Sequence, residues 1–306
     1  MIIILHIISG LKVGGAEMML HRLVINTPCD KYRHVIVALD PEGGMRERFQ
    51  DESVELHLFD FKRSPAREML RLTRLIRLSK PNIVQTWMYH ADLIGGLAAL
   101  FAGNFPVIWG IHTFQLQQGV SRATRIIRKL CAWSSNLIPY KILCVAEAAR
   151  QSHAQAGYNM DKLIVLPNGF DISAELLNPK DRNQLRRTLG VADEEMLVGV
   201  VGRFNPDKDY RNFLEAAGQV LARNSSVRFL MVGREVDADN QQINTWMHEL
   251  GLPPARFIRL GARSDVLRLL SAMDVFCSSS RSEAFPLVVG EAMSVARPCV
   301  ATDVGD

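Results

Sequence analysis

The strongest constraint on this chain is a repeated alternation of short, nearly all-apolar runs with longer segments whose apolar residues recur at helical spacing. In the first half the short runs fall at residues 2–8, 34–39, 55–59, 83–86, 107–111, 142–145 and 163–166. Strands apolar on both faces must be covered on both, and the amphipathic segments between them supply the cover. The pattern predicts βαβ units and a parallel sheet.

A turn at Pro167-Asn168-Gly169-Phe170-Asp171 leads into a polar, charged stretch, residues 178–195, read as connecting chain. The alternation then restarts, with strands expected at 196–201, 227–232, 257–260, 275–277 and 299–302, and helices at 213–222, 241–250, 266–273 and 287–295. The expected fold class is therefore α/β, with two Rossmann-like, doubly wound parallel-sheet domains, 1–170 and 171–306, a hinge near residue 170 and a cleft between them. With about four strands and no closing helix before Asp306, the second domain reads as incomplete.

A length of 306 residues accommodates two domains of about 150 residues each. The hydrophobic fraction of 48% and charged fraction of 22% are those of an ordinary soluble globular protein. Five cysteines, odd in number and without a Cys-x-x-Cys pair, suggest neither a disulfide framework nor a zinc knuckle, and fit a reducing cytoplasm. The apolar N-terminus lacks a basic leader region and is interrupted by His6, so it reads as a buried strand. No apolar run reaches the roughly 18 residues of a membrane span. A net charge of +4 does not point to nucleic acid.

Gly14-Gly15-Ala16-Glu17 follows the first strand and opens a helix expected from Met18, where backbone N–H groups can face an anion or a sugar; the same turn also has purely steric uses. The spacing is not Gly-x-Gly-x-x-Gly, so only Asp40, at the end of the second strand, speaks for a dinucleotide. His112 ends the fifth strand, at the carboxyl edge where open α/β sheets bind ligands. Gly202-Arg203 with Lys208 follows the first strand of the second domain; Arg203 can fork two phosphate oxygens and Lys208 adds a point charge, against the alternative of a solvated loop. The most informative element is Glu283-Ala284-Phe285-Pro286-Leu287-Val288-Val289-Gly290-Glu291. Pro286 suits a first helical turn, Glu283 can accept sugar hydroxyls and Glu291 a ribose diol.

These motifs, with Pro167 to Asp171, Val232-Gly233 and the final Gly305, resemble the family 4 retaining glycosyltransferases of the GT-B fold, and the resemblance runs along essentially the whole chain. It implies that Arg203 and Lys208 bind the donor diphosphate and Glu283 orients the donor sugar, while Glu291 holds the ribose and His112 contacts the sugar near its reacting carbon. Gly14, Gly15, Gly202, Phe285, Pro286 and Leu287 complete the donor contacts.

The implied reaction transfers a sugar, with retention, from a UDP- or GDP-sugar to a saccharide or lipid-linked acceptor in cell-surface polysaccharide or glycolipid synthesis. It implies no cofactor or metal; the triplets Asp207-Lys208-Asp209 and Asp237-Ala238-Asp239 are too short to argue otherwise. Two alternatives stay open: a same-fold sugar-nucleotide epimerase or phosphorylase, and a noncatalytic nucleotide-sugar or lipid-binding protein. Between Lys62 and Lys80 seven basic residues accompany one acid, Glu68, with Arg67, Arg71 and Arg74 opposite Met69, Leu72 and Ile76; Arg122 to Lys129 is also basic. Such faces suit either an ordinary packed helix or an anionic membrane surface on the cytoplasmic side.

Overall fold

The computed structural model describes residues 1–51, 54–114, 121–170 and 178–305. The chain divides into two compact units, Met1–Asn168 and Gly169–Val304. Asp171 lies outside the described residues.

Unit 1 runs β1 (Ile2–Ile8), α1 (Gly15–Ile25), β2 (Tyr32–Ala38), α2 (Met45–Asp51), β3 (Glu55–Leu58), α3 (Pro65–Ser79) and β4 (Ile83–Trp87). It continues through α4 (Tyr89–Gly103), β5 (Val107–Ile111), α5 (Arg122–Ser134), β6 (Lys141–Cys144), α6 (Glu147–Gln155) and β7 (Leu163–Val165). All neighbouring strands pair parallel, in the order β3-β2-β1-β4-β5-β6-β7. The inner strands are buried on both faces: Leu5, His6 and Ile7 of β1 and Ile36, Val37 and Ala38 of β2 are wholly inaccessible. Helix α4 presses directly on the sheet because Gly95 lacks a side chain; a Cβ there would lie 2.8 Å from Ile7 Cδ1 and Thr86 Cγ2.

Unit 2 runs α7 (Pro179–Thr188), β8 (Met196–Val201), α8 (Tyr210–Arg223), β9 (Val227–Val232), α9 (Gln241–Glu249) and β10 (Phe257–Arg259). It ends with α10 (Val266–Ala272), β11 (Val275–Ser278), α11 (Leu287–Ser294) and β12 (Cys299–Ala301). The strands form one parallel sheet, β10-β9-β8-β11-β12. Alternate residues of β9 feed opposite cores: Phe229 and Met231 join Tyr210, Phe213 and Met247, whereas Leu230 and Val232 join Leu269, Leu270 and Phe276.

In both sheets the chain lays strands to one side of its first strand and then returns to the other. This creates a reversal between β1 and β4 in unit 1 and between β8 and β11 in unit 2. Loops beyond the carboxyl ends of strands diverge at such a point and leave room for a ligand.

Four expectations need correction. The sheet of unit 2 has five strands, one at each of the five places expected, so the count of about four was one short. Helix α1 begins at Gly15, with Gly14 in an extended conformation as its cap, so the glycine pair is part of the helix start. Pro286 is the cap residue of α11 and Leu287 its first helical residue. The stretch read as connecting chain contains α7, opened by Asn178, whose side chain accepts from Lys180 N, and by Pro179. Apolar periodicity is weak there: Leu185 and Leu189 meet the core, and polar side chains do the rest of the docking. Arg186 is buried, donating to Asp274 at 2.9 Å and to the carbonyls of Ala272 and Glu195, and Arg182 holds the other oxygen of Asp274 at 2.5 Å.

Candidate functional site

The reversal in unit 2 brings together the loops that follow β8 and β11. The first is packed against backbone. Gly202 N donates to Val232 O at 2.9 Å, the Tyr210 hydroxyl donates to Gly202 O, and the Lys208 stem runs so close that a Cβ on Gly202 would lie 3.2 Å from its Cδ. Gly233 must be glycine, because a Cβ would fall 1.7 Å from Gly202 O.

The second loop clamps the first. Ser279 Oγ donates to Lys208 O at 2.9 Å, Arg281 N donates to Asp207 O at 2.7 Å, and the Arg281 guanidinium meets Asp209 at 2.6 Å. Within this clamp Lys208 Nζ pairs with Glu283 Oε1, which also accepts from Ser280 Oγ at 2.6 Å. Arg203 is exposed and makes no side-chain hydrogen bond or ion pair among the described residues. The structure therefore brings Gly202, Lys208 and Glu283 together and leaves a second cation beside Gly202 with its donors available.

Beyond Glu283, Phe285 stacks on Phe170 with centroids 5.9 Å apart and planes at 23°. The Phe170 ring lies flat on Gly290, 2.2 Å from a built Cβ, so any side chain at 290 would displace it. Glu291 is half-buried on α11 one residue further, and Pro286 and Leu287 form the helix entrance.

In unit 1 the loops beside the reversal follow β1 and β4, with β5 adjoining β4. Gly14 and Gly15 open α1 after β1. A Cβ on Gly14 would come within 2.6 Å of Glu17 Oε2, so the glycine admits that carboxylate. His112 follows β5 and stacks on Trp87 at the end of β4, centroids 4.9 Å apart and planes at 19°. Its Nδ1 is inaccessible and has no hydrogen-bond partner among the described residues, and burial pulls the imidazole down to about 4, so the ring is neutral at pH 7.

Asp40 is engaged with Lys62 at 2.5 Å, and that hydrogen bond holds its carboxyl below the ordinary value. Asp209 and Asp237 serve turns and caps. Among the described residues no group of three or more His, Cys, Asp or Glu is placed to hold a metal ion.

Residue reasoning missed Ser279, Ser280, Arg281, Tyr210 and Trp87. The run Ser278-Ser279-Ser280 at a strand end was the one available signal. The others acquire meaning only once the sheet order is known.

Two α/β units, each a parallel sheet with one strand-order reversal, define an α/β protein of GT-B architecture. The chain belongs to glycosyltransferase family 4: that family's profile matches residues 13–174, and the profile described as glycosyl transferases group 1 matches residues 195–306. It is 26% identical over 244 residues to the UDP-Gal:alpha-D-GlcNAc-diphosphoundecaprenol alpha-1,3-galactosyltransferase of Escherichia coli, covering 78% of this chain and 62% of that protein. It is 32% identical over 166 residues to the D-inositol 3-phosphate glycosyltransferase of Nocardia farcinica, covering 52% of this chain and 36% of that one. In fold it is similar to Anabaena Alr3699/HepE, crystallised in complex with UDP and glucose, with a TM-score of 0.85 and 23% identity, over 100% of this chain and 82% of that one.

Proposed function

We propose that this chain is a retaining glycosyltransferase that moves a hexose from a UDP- or GDP-sugar to a saccharide or lipid-linked acceptor in cell-surface polysaccharide or glycolipid synthesis. The observation that carries the reading is the cation and carboxylate junction at the reversal in unit 2: Lys208 against Glu283, with Arg203 exposed beside Gly202. Similarity to a UDP-Gal-dependent transferase acting on a diphosphoundecaprenol acceptor supports the donor and acceptor classes.

In this reading Arg203 and Lys208 neutralise the diphosphate as the bond from the anomeric carbon to the phosphate oxygen breaks. Gly202 and the backbone at Phe285, Pro286 and Leu287 admit the donor closely, and Glu291 accepts the ribose hydroxyls. Glu283, released from Lys208 when phosphate takes its place, accepts sugar hydroxyls. The acceptor oxygen bonds to the anomeric carbon on the face the phosphate leaves, and its proton passes to the departing phosphate oxygen. His112 offers a neutral ring to the sugar, and Gly14 and Gly15 let backbone approach it. With two cations answering the diphosphate charge, the reaction runs without a divalent metal.

The test is calorimetric and thermal-shift titration with UDP, GDP, ADP and their sugar conjugates in EDTA, beside Arg203→Ala and Lys208→Ala. Selective binding of one nucleotide, weakened about tenfold or more by each substitution, is expected. No binding by the folded protein, or binding indifferent to both changes, sinks the reading.

Membrane attachment on the cytoplasmic side is part of the proposal. Arg67 and Arg74 of α3 are exposed, and α5 exposes Arg122, Arg125 and Lys129 together with Ile126 and Trp133. Some of the basic face is internal packing: Arg71 lies 4.3 Å over Phe59, and Arg77 donates to the carbonyls of Phe101 and Ala102. No helix among the described residues is long and apolar enough to cross a membrane. Salt-sensitive sedimentation with vesicles containing phosphatidylglycerol, absent with phosphatidylcholine alone, is the expected result.

A further inference from the structure

A histidine inside a central strand is an unusual choice, because a buried imidazole must be partnered on both nitrogens or lose hydrogen bonds. His6 sits in the middle of β1, wholly inaccessible. Its two nitrogens are both engaged: Nδ1 faces the indole Nε1 of Trp87 at 3.3 Å, and Nε2 faces His34 Nδ1 at 2.8 Å, with the His6 and His34 rings stacked at 5.1 Å.

The direction of this chain of bonds is fixed by chemistry. An indole N–H only donates, so His6 Nδ1 accepts. A neutral His6 must then carry its proton on Nε2 and donate it to His34 Nδ1, which leaves the His34 proton on its own Nε2, an inaccessible atom with no partner among the described residues. Protonating His6 would set an N–H against the indole N–H, and burial, aided by His34, already holds the imidazole down to about 3. The sequence Trp87 to His6 to His34 therefore runs one way only.

Its near end is the residue of interest. Trp87 is almost inaccessible, and its other partner is His112, stacked on it at 4.9 Å and 19°. The backbone on the same spot is equally tied: Met88 N donates to Gly110 O at 2.9 Å, and Gly110 leaves only 2.9 Å between a built Cβ and Thr86 O. Among the described residues His112 Nδ1 has no hydrogen-bond partner to orient the ring; the stack on Trp87 does so.

We propose that Trp87 is a positioning residue for His112, its indole held in plane by a one-directional hydrogen-bond relay through His6 to His34. The inference rests on the reading of His112 as a donor-sugar contact, and it assigns a role to three residues outside that contact. Holding a neutral ring by stacking orients it without spending Nε2 on a protein hydrogen bond, while Nδ1 stays buried. An imidazole held through Nε2 would have that nitrogen spent.

The experiment is two-bond nitrogen–proton correlation spectroscopy on the full chain labelled with 15N-histidine, paired with UDP release from UDP-glucose. In the unliganded protein at pH 7, His6 and His34 should both show the tautomer protonated on Nε2. Trp87→Phe keeps a ring for the stack but removes the donor; His6 should then populate both tautomers, and turnover should fall several-fold with the KM for UDP-glucose nearly unchanged. Trp87→Leu removes the stack, and turnover should fall by roughly tenfold to a hundredfold, again without a matching rise in KM.

Finding His6 protonated on Nδ1, or an unchanged His6 tautomer in Trp87→Phe, overturns the relay. Unchanged turnover in Trp87→Leu overturns the positioning role. His112→Gln separates the two readings: full turnover in that variant removes His112 from the reaction, while the tautomer result on the unliganded protein stands by itself.

Discussion

Glu283 and Lys208 answer each other in the unliganded protein, and this makes their substitutions diagnostic. In the proposed reaction a diphosphate has to take Lys208 from a carboxylate that is held in place by Ser280. Glu283→Gln keeps the shape and the Ser280 contact but removes the competing charge. UDP is therefore expected to bind as tightly as before or a few-fold more tightly, while sugar transfer falls by about a hundredfold as a charged acceptor of sugar hydroxyls is lost. Lys208→Ala should do the reverse to binding, weakening UDP about tenfold or more. Calorimetry with UDP and a turnover assay on the same preparations check both; parallel losses of binding in the two variants would show that the pair serves only the fold.

Helix α7 shows how an element can escape a reading based on apolar spacing. Besides Leu185 and Leu189 on the core, it is docked by ion pairs and carbonyl contacts: Arg186 and Arg182 reach the two oxygens of Asp274, which also accepts from Leu197 N at 2.7 Å. Burial alone would raise the Asp274 carboxyl, yet Leu197 N–H and the two arginines hold it below its ordinary value. Asp274→Ala strips a buried guanidinium of its counter-ion. Because Arg186 keeps its carbonyl acceptors, the expected loss in urea unfolding is about 2–3 kcal/mol. An effect below about 0.5 kcal/mol would mean that α7 docks by other contacts. The strands, by contrast, were legible to within a residue or two, because a strand buried on both faces must be apolar throughout. Gly202, Lys208 and Glu283 were legible as charged and glycine residues at strand ends. Ser280, Tyr210 and Trp87 were not, since each acts on a residue far away in sequence that only the strand order makes a neighbour. Phe170 stood inside a recognised turn, but its stack on Phe285 depends on the bare Cα of Gly290.

Across the whole molecule, the two units differ in how they meet acid. Burial holds His6 at about 3 and His112 and His153 at about 4, and it also lowers His34 and His90; all five lie in unit 1. A histidine depressed in the fold contributes stability that is complete above its ordinary value near 6.5 and is lost as pH falls toward the folded value. Asp92 opposes this. Burial raises it to about 7 despite hydrogen bonds from Thr86 and the Gly110 backbone, so its contribution is complete below about pH 4 and is lost as pH rises through 7. In unit 2 the shifted carboxylates, Asp274 and Asp265, are lowered, and they cost stability only as pH falls through and below the ordinary carboxylate range. Between pH 7.5 and 5, unit 1 should therefore weaken while unit 2 holds. Hydrogen exchange read by mass spectrometry should show peptides from β1, β4 and β5 losing protection relative to β8 and β9. Asp92→Asn removes the opposing contribution: it should stabilise unit 1 at pH 8 by something on the order of 1–3 kcal/mol and make the decline toward pH 5 steeper. Equal loss of protection in both units, or an Asp92→Asn protein no more stable at pH 8 than the parent, would show that the buried histidines and Asp92 do not set the acid response.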